Sequence, residues 1–134
     1  MRFMNEKIKE LIENGKLIQV VLVDTEGMVI KARGDLYDPE VLSAIFSPFQ
    51  GLVRNIQENL KVDGVEELSL RTEGRRFRLI LRYFTADGTE FFLIAICPIS
   101  SSYRQITTEI IRLACDDIIQ KSFDSPEKEV ESIS

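Results

Sequence analysis

The stretch Leu17-Ile18-Gln19-Val20-Val21-Leu22-Val23-Asp24-Thr25-Glu26-Gly27-Met28-Val29-Ile30-Lys31-Ala32-Arg33-Gly34 decides how the chain folds. Residues 17–23 are apolar almost without interruption, Gln19 being the exception. Such a run suits a strand buried on both of its faces. Asp24-Thr25-Glu26-Gly27 then turns the chain, with Gly27 free to take a positive φ. Over 28–34 the pattern changes to alternation, Met28, Ile30 and Ala32 against Val29, Lys31 and Arg33. Alternation marks a strand with one exposed side. The stretch therefore reads as a central strand, a tight turn and an edge strand.

Working outward, Ile8, Leu11 and Ile12 recur at helical spacing over about 5–14, and Asn14-Gly15 stops that helix. On the other side Asp38 is a good N-cap and Pro39 a good first helical residue for a long helix over 39–60. Its apolar positions are Val41, Leu42, Ile45, Phe46, Phe49, Leu52, Val53, Ile56 and Leu60. At 100° per residue they fill an arc of roughly 140°. Pro48 lies inside, and because the apolar phase runs through it the expectation is a kink rather than a break. Ser47-Pro48-Phe49-Gln50 could alternatively open a second helix as a capping box.

Three further strands follow. Residues 65–72 alternate, with Leu68 and Leu70 opposite Glu67, Ser69 and Arg71. After the turn Glu73-Gly74-Arg75, residues 76–84 place Phe77, Leu79, Leu81 and Tyr83 on one face and Arg76, Arg78, Ile80, Arg82 and Phe84 on the other. Ala86-Asp87-Gly88-Thr89 is a hairpin signal, and 91–97 is again continuously apolar. A last helix spans about 102–122, capped from Ser100-Ser101-Ser102, with Ile106, Ile110, Leu113, Ala114 and Ile118 inward. The order is α-β-β-α-β-β-β-α, an α+β fold. The two continuously apolar strands belong in the middle and the alternating ones at the edges. With short hairpins pairing neighbours, the antiparallel sheet order is 2-1-5-4-3, with helices on both faces. Residues 1–122 read as one domain, and the polar, charged stretch 123–134 as a disordered acidic tail.

Composition bounds the chemistry. The chain has 134 residues, 44% hydrophobic and 29% charged, which is ordinary for one soluble globular domain. Its formal net charge of −5 argues against nucleic acid as a partner. No run of about 18 apolar residues exists to insert in a membrane, and the first residues lack a secretory apolar region. Histidine is absent, which removes a Ser-His-Asp site and the commonest metal ligand. Neither G-x-x-x-x-G-K-[ST] nor G-x-G-x-x-G occurs, so no catalytic residue, cofactor or metal is expected. Cys97 and Cys115 are too few for a structural zinc site and read as buried thiols in a reducing cytoplasm. Asp116-Asp117 reads as a solvated helix face.

Two features go beyond a core. The apolar arc of 39–60 is wider than a helix needs to lie on its own sheet. One flank can cover the sheet while Leu42, Phe46, Phe49 and Val53 meet a partner helix; the alternative is deeper burial in the same domain. The edge strand carrying Leu68 and Leu70 could pair with its own two-fold copy. The second feature is basic. Five of the ten arginines, Arg71, Arg75, Arg76, Arg78 and Arg82, fall within twelve residues, with Glu73 the only acid among them. They form either a docking patch for an acidic protein surface or a solvated face balanced by nearby carboxylates.

The element order, the Val20-Val21-Leu22-Val23-Asp24-Thr25-Glu26-Gly27-Met28-Val29-Ile30 opening, the long helix, the three-strand meander and Pro98 leading through Tyr103-Arg104 into the last helix resemble a roadblock domain. That fold, roadblock/profilin-like, is shared by roadblock-type dynein light chains and bacterial regulators of Ras-like GTPases. The resemblance spans roughly 17–119. It implies a cytoplasmic, non-enzymatic dimer, with itself or a paralogue, formed through the long helices and third strands. Such dimers are signalling scaffolds that bind and regulate a small GTPase. Candidate docking residues are Arg54, Arg71, Arg76, Arg78, Arg82 and Arg104. Arg54 and Arg104 are the helix arginines that could reach a bound GTPase, though neither is assigned a catalytic role. Two other readings stand beside this one. A PAS-like sensor shares the sheet order and would hold a small molecule between helix and sheet. A structural adaptor would have no GTPase partner at all.

Overall fold

The computed structural model describes residues 1–74 and 76–133, with side chains up to residue 121. In chain order the elements are α1 (Arg2–Glu13), β1 (Gln19–Val23), β2 (Val29–Arg33), α2 (Pro39–Ser43), α3 (Phe46–Leu60), β3 (Glu67–Arg71), β4 (Phe77–Ala86), β5 (Thr89–Pro98) and α4 (Tyr103–Ile133). The expectation of a disordered tail over 123–134 lies outside the residues described with side chains.

The strands form one antiparallel sheet in the order β2-β1-β5-β4-β3, as the apolar pattern implies. Side-chain alternation sorts the sheet into two layers. Val20 and Leu22 of β1, Ile80 of β4, and Leu93, Ala95 and Cys97 of β5 pack against α1 and α4. Val21, Val23, Leu81, Phe92, Ile94 and Ile96 point the other way, onto α2 and α3. β1 and β5 are covered on both sides, which is why their sequences carry no polar alternation.

Gln19, the one polar residue in the first apolar run, is fully buried. Its Nε2 donates to the Tyr37 carbonyl at 2.6 Å, and its Oε1 accepts from the Tyr37 amide at 2.9 Å. The side chain thus substitutes for a backbone ladder and ties the 34–38 loop to β1. The close approach has a second requirement. Gly34 sits at φ +96, and a Cβ there would lie 2.5 Å from the Ile18 carbonyl oxygen. Only glycine fits.

The long helix differs from its expectation: it is two helices. Asp38 caps α2, its Oδ1 accepting from the Glu40 amide at 2.9 Å, with Pro39 at the first position as anticipated. The chain then tightens at Ala44 and Ile45, where the Ile45 amide bonds the Leu42 carbonyl only three residues back. The cause is Pro48. It has no N–H to give the Ala44 carbonyl, and its ring crowds that same group. Both linking residues keep right-handed angles (φ −62 and −70), so the helical phase survives the break. The alternative, a capping box opened by Ser47, does not form either, since the residue preceding α3 is Ile45 and it makes no side-chain cap.

Asp117 also departs from expectation. It is buried rather than solvated. Its two carboxylate oxygens accept from the Phe3 amide at 3.0 Å and the Met4 amide at 2.9 Å. An α-helix leaves its first four amides without internal partners, and here a side chain 113 residues away supplies two of them. The same contact fastens α1 to α4.

Candidate functional site

The wide apolar arc divides between two surfaces. Leu42, Phe46, Phe49 and Val53, expected at a dimer contact, lie in the protomer's own core, each no more than 7% exposed. The reason is aromatic packing. Phe49 stacks on Phe92 with ring centroids 4.9 Å apart and on Tyr83 at 5.5 Å, and Phe46 meets Phe92 at 5.1 Å. Deeper burial in the same domain accounts for these four side chains. At 100° per residue, Val41, Ile45, Leu52 and Ile56 fall on the neighbouring flank. There Val41 is 59% and Leu52 46% exposed, with Ile45 and Ile56 half-buried. This flank is the apolar surface that α2 and α3 leave uncovered. The angular position of Leu52, about 100° from Val53, was the available signal for it.

β3 supplies an open edge of the sheet. It pairs with β4 on one side, Leu68 opposite Leu81 and Leu70 opposite Leu79. No described strand pairs its other side. Leu70 is exposed and Leu68 half-buried, both on the α2 and α3 side of the sheet. The edge carries no proline, so its outward amides and carbonyls can accept another strand.

The stacked Phe46, Phe49, Tyr83 and Phe92 rings fill the layer between α3 and the sheet, where a sensor would hold its ligand. The open cleft nearby lies at the rim instead, between Arg54 and Gln57 of α3 and Tyr83, Thr85 and Glu90 of the β4–β5 hairpin. Burial raises the Tyr83 hydroxyl pKa first, with Glu90 adding to the effect and Arg54 opposing it. Among the described residues no group of three or more acidic or thiol side chains is placed to hold a metal ion.

The candidate docking arginines do not form one patch. Arg54 stands exposed on α3, on one side of the sheet. Arg71, Arg78 and Arg82 stand on the other side, with Arg104 of α4. Arg71 lies directly opposite Arg78 across the β3–β4 ladder, and Glu67 opposite Arg82. Arg82 is mostly enclosed, its Nη1 donating to Thr108 Oγ1 at 2.7 Å and Thr107 Oγ1 at 3.1 Å, its Nε 3.7 Å from Glu67. Arg104 reaches the other Glu67 oxygen at 3.6 Å. The Arg78 and Arg104 guanidiniums lie 5.0 Å and 5.7 Å from the centre of the Tyr103 ring. Arg76 is exposed in the β3–β4 turn at φ 57, where it lines a shallow hollow with Arg71 and Glu73.

Both cysteines are free thiols, Cys97 buried and Cys115 half-buried. Desolvation pushes Cys97 up to about 12 and also raises Cys115, where Asp116 adds to it. Neither is an activated nucleophile. Ser101 Oγ donates to the Lys16 carbonyl at 2.9 Å, so the serine run ties two loops together.

A five-stranded antiparallel sheet between two helical layers, open at a short third strand, defines a small domain of the roadblock class. The chain belongs to the Roadblock/LC7 domain family, whose pattern matches residues 4–95. Comparison with curated proteins finds no match. Among solved structures, MglB of Myxococcus xanthus superposes with a TM-score of 0.64 at 18% identity, covering 93% of this chain and 98% of that one. The gliding protein MglB of Thermus thermophilus gives 0.61 at 15%, covering 88% and 89%. A Roadblock/LC7 domain from Streptomyces avermitilis gives 0.64 at 15%, covering 86% and 93%. At these identities the likeness is one of fold.

Proposed function

We propose that this chain is a non-enzymatic dimeric platform that binds and regulates a small Ras-like GTPase in the cytoplasm. Membership of the roadblock family supports it, and one observation on the molecule carries it. The unpaired β3 edge borders the sheet face that α2 and α3 cover, and Leu52 of α3 and Leu70 of β3 are both exposed, while α2, which carries the exposed Val41, packs against β1 and β2. Two-fold pairing through β3 would satisfy the open ladder and cover Leu52 and Leu70 at once. Regulation then follows from differential affinity. A dimer that binds one nucleotide state of the GTPase better shifts its population toward that state.

Light scattering tests the first half. The expected mass at micromolar concentration is twice the protomer mass, falling to one protomer in a Leu52→Glu, Leu70→Glu double variant. A monomeric unmodified chain would overturn the platform. Capture on the immobilised chain, run in parallel with GDP and a non-hydrolysable GTP analogue, tests the second. Enrichment of a small GTPase in one state is expected, and equal recovery in both would refute the regulatory reading. Recovery of a stable partner set without any GTPase would indicate a structural adaptor.

A further inference from the structure

The sheet face that carries α1 and α4 holds a second surface that neither the β3 edge nor the α3 flank explains. Between β3 and the first turn of α4 stand four guanidinium groups, those of Arg71, Arg78, Arg82 and Arg104, with one carboxylate, Glu67, among them. That carboxylate is already engaged by Arg82 at 3.7 Å and Arg104 at 3.6 Å. Arg82 is further held by two threonine hydroxyls, so it serves as the base of the cluster. Arg104 is exposed and keeps one Glu67 oxygen at 3.6 Å, while among the described residues neither Arg71 nor Arg78 forms an ion pair. Like charges directly opposite on neighbouring strands, as Arg71 and Arg78 are, destabilise a sheet. The Arg78 Nε is buried without a hydrogen-bond partner. The Tyr103 ring contacts both the Arg78 and the Arg104 guanidinium.

We propose that Arg71, Arg78 and Arg104 form a docking shelf for a short acidic segment of a partner protein, its carboxylates taking the bidentate bonds these guanidiniums offer. A carboxylate here would answer the Arg71–Arg78 repulsion, and charge-assisted pairs of this kind are the strong ones. The chemistry selects a short peptide over other anions. The chain carries −5 overall, so a long polyanion or an anionic bilayer meets acidic surface beyond the shelf. A short segment stays within about one Debye length, roughly 8 Å, of the arginines and feels chiefly their charge. The single aromatic present, Tyr103, is taken up by two arginines and offers no face for base stacking. The shelf is on the opposite side of the sheet from α3 but shares β3 with the proposed dimer seam through Arg71, so Arg104→Glu, on α4, is the variant that separates its test from the dimer's.

The test is fluorescence anisotropy of a labelled twelve-residue Asp/Glu-rich peptide titrated with the full chain at low and moderate salt. Saturable binding is expected, weakening at least tenfold in Arg71→Glu and in Arg104→Glu, and weakening with added salt. Both side chains are exposed, and a thermal melt confirms that each variant folds. Lys31→Glu is the control. It lies on the opposite edge strand, four strand spacings or roughly 19 Å away, and binding there should change less than twofold. No binding at low salt, undiminished affinity in the two arginine variants, or an equal loss in Lys31→Glu would overturn the proposal. Tighter binding of a duplex oligonucleotide or a phosphatidylserine vesicle than of the peptide would overturn it as well.

Discussion

Replacing Asp117 with alanine removes both acceptors from the amino end of α1. Hydrogen bonds to a charged group contribute about 1.5–3 kcal/mol each, which bounds the pair at roughly 3–6 kcal/mol. The bond to the Met4 amide is buried and takes the full value, whereas the Phe3 amide is partly open to water and recovers some of its loss by hydration. The expected destabilisation is about 2–4 kcal/mol, or roughly 8–16 °C in Tm for a domain of this size. Asp117→Asn keeps one carbonyl acceptor and loses the charge, so it should fall about midway. Urea unfolding supplies the free energies, and amide exchange at Phe3 and Met4 reports the bonds directly. Exchange there should rise first, ahead of Ile8 and Leu11, which are buried deeper along α1. If Asp117→Ala costs less than about 0.5 kcal/mol, or leaves those two amides protected, the carboxylate does not anchor α1 and the reasoning fails.

Other perturbations follow from the same geometry. Gly34→Ala should cost about 3 kcal/mol or more by urea unfolding, because the added Cβ meets backbone at a positive φ; a loss below about 1 kcal/mol would show that the β1–loop approach relaxes. Gln19→Ala should cost about 2–3 kcal/mol by leaving the Tyr37 amide and carbonyl buried without partners, and a near-neutral result would mean that water replaces the side chain. Cys97 should resist thiol labelling at pH 8 until the protein unfolds, since burial pushes it up to about 12. A thiol raised above its unfolded value of about 8.5 stabilises the fold fully below that pH and progressively less toward 12, so Cys97→Ala should flatten the alkaline loss of stability. An identical alkaline slope in that variant would refute the assignment. Pro48→Ala restores a donor to the Ala44 carbonyl, and slower amide exchange over 44–48 should follow; unchanged exchange would mean that the break has another cause.

The periodicities carried most of this architecture because each strand's burial is written in its own residues. The apolar runs at 17–23, broken only by Gln19, and 91–97 fit strands with both faces covered, and that condition places β1 and β5 at the centre. The break after α2 was less legible. Proline acts on the carbonyl four residues earlier, while apolar phase, the stronger signal, passes through two right-handed linking residues undisturbed. Asp117 was invisible for a different reason. A carboxylate on a helix looks solvated until the amino end of another helix is known to lie against it, and that contact spans nearly the whole chain. The arginines were legible as a cluster but not as a surface. Strand alternation separates Arg71, Arg78 and Arg82 from Arg54, while the fourth member, Arg104, arrives from a helix some twenty residues on.

The position of β1 beside β5 has a consequence for the order in which the molecule is built. β4 and β5 form a local hairpin with ten residues in each strand, and such a unit closes early. The β1–β2 hairpin also closes locally, yet its other side must wait, because Gln19 pairs with Ile96 and Val23 with Phe92. Contacts so distant in sequence form late and slow the whole reaction. On a ribosome the apolar first strand therefore emerges long before its inner neighbour and spends that interval with an open edge. The seam between the first and fifth strands is where a nascent chain is most exposed to wrong pairing, since no fragment ending before β5 can make it.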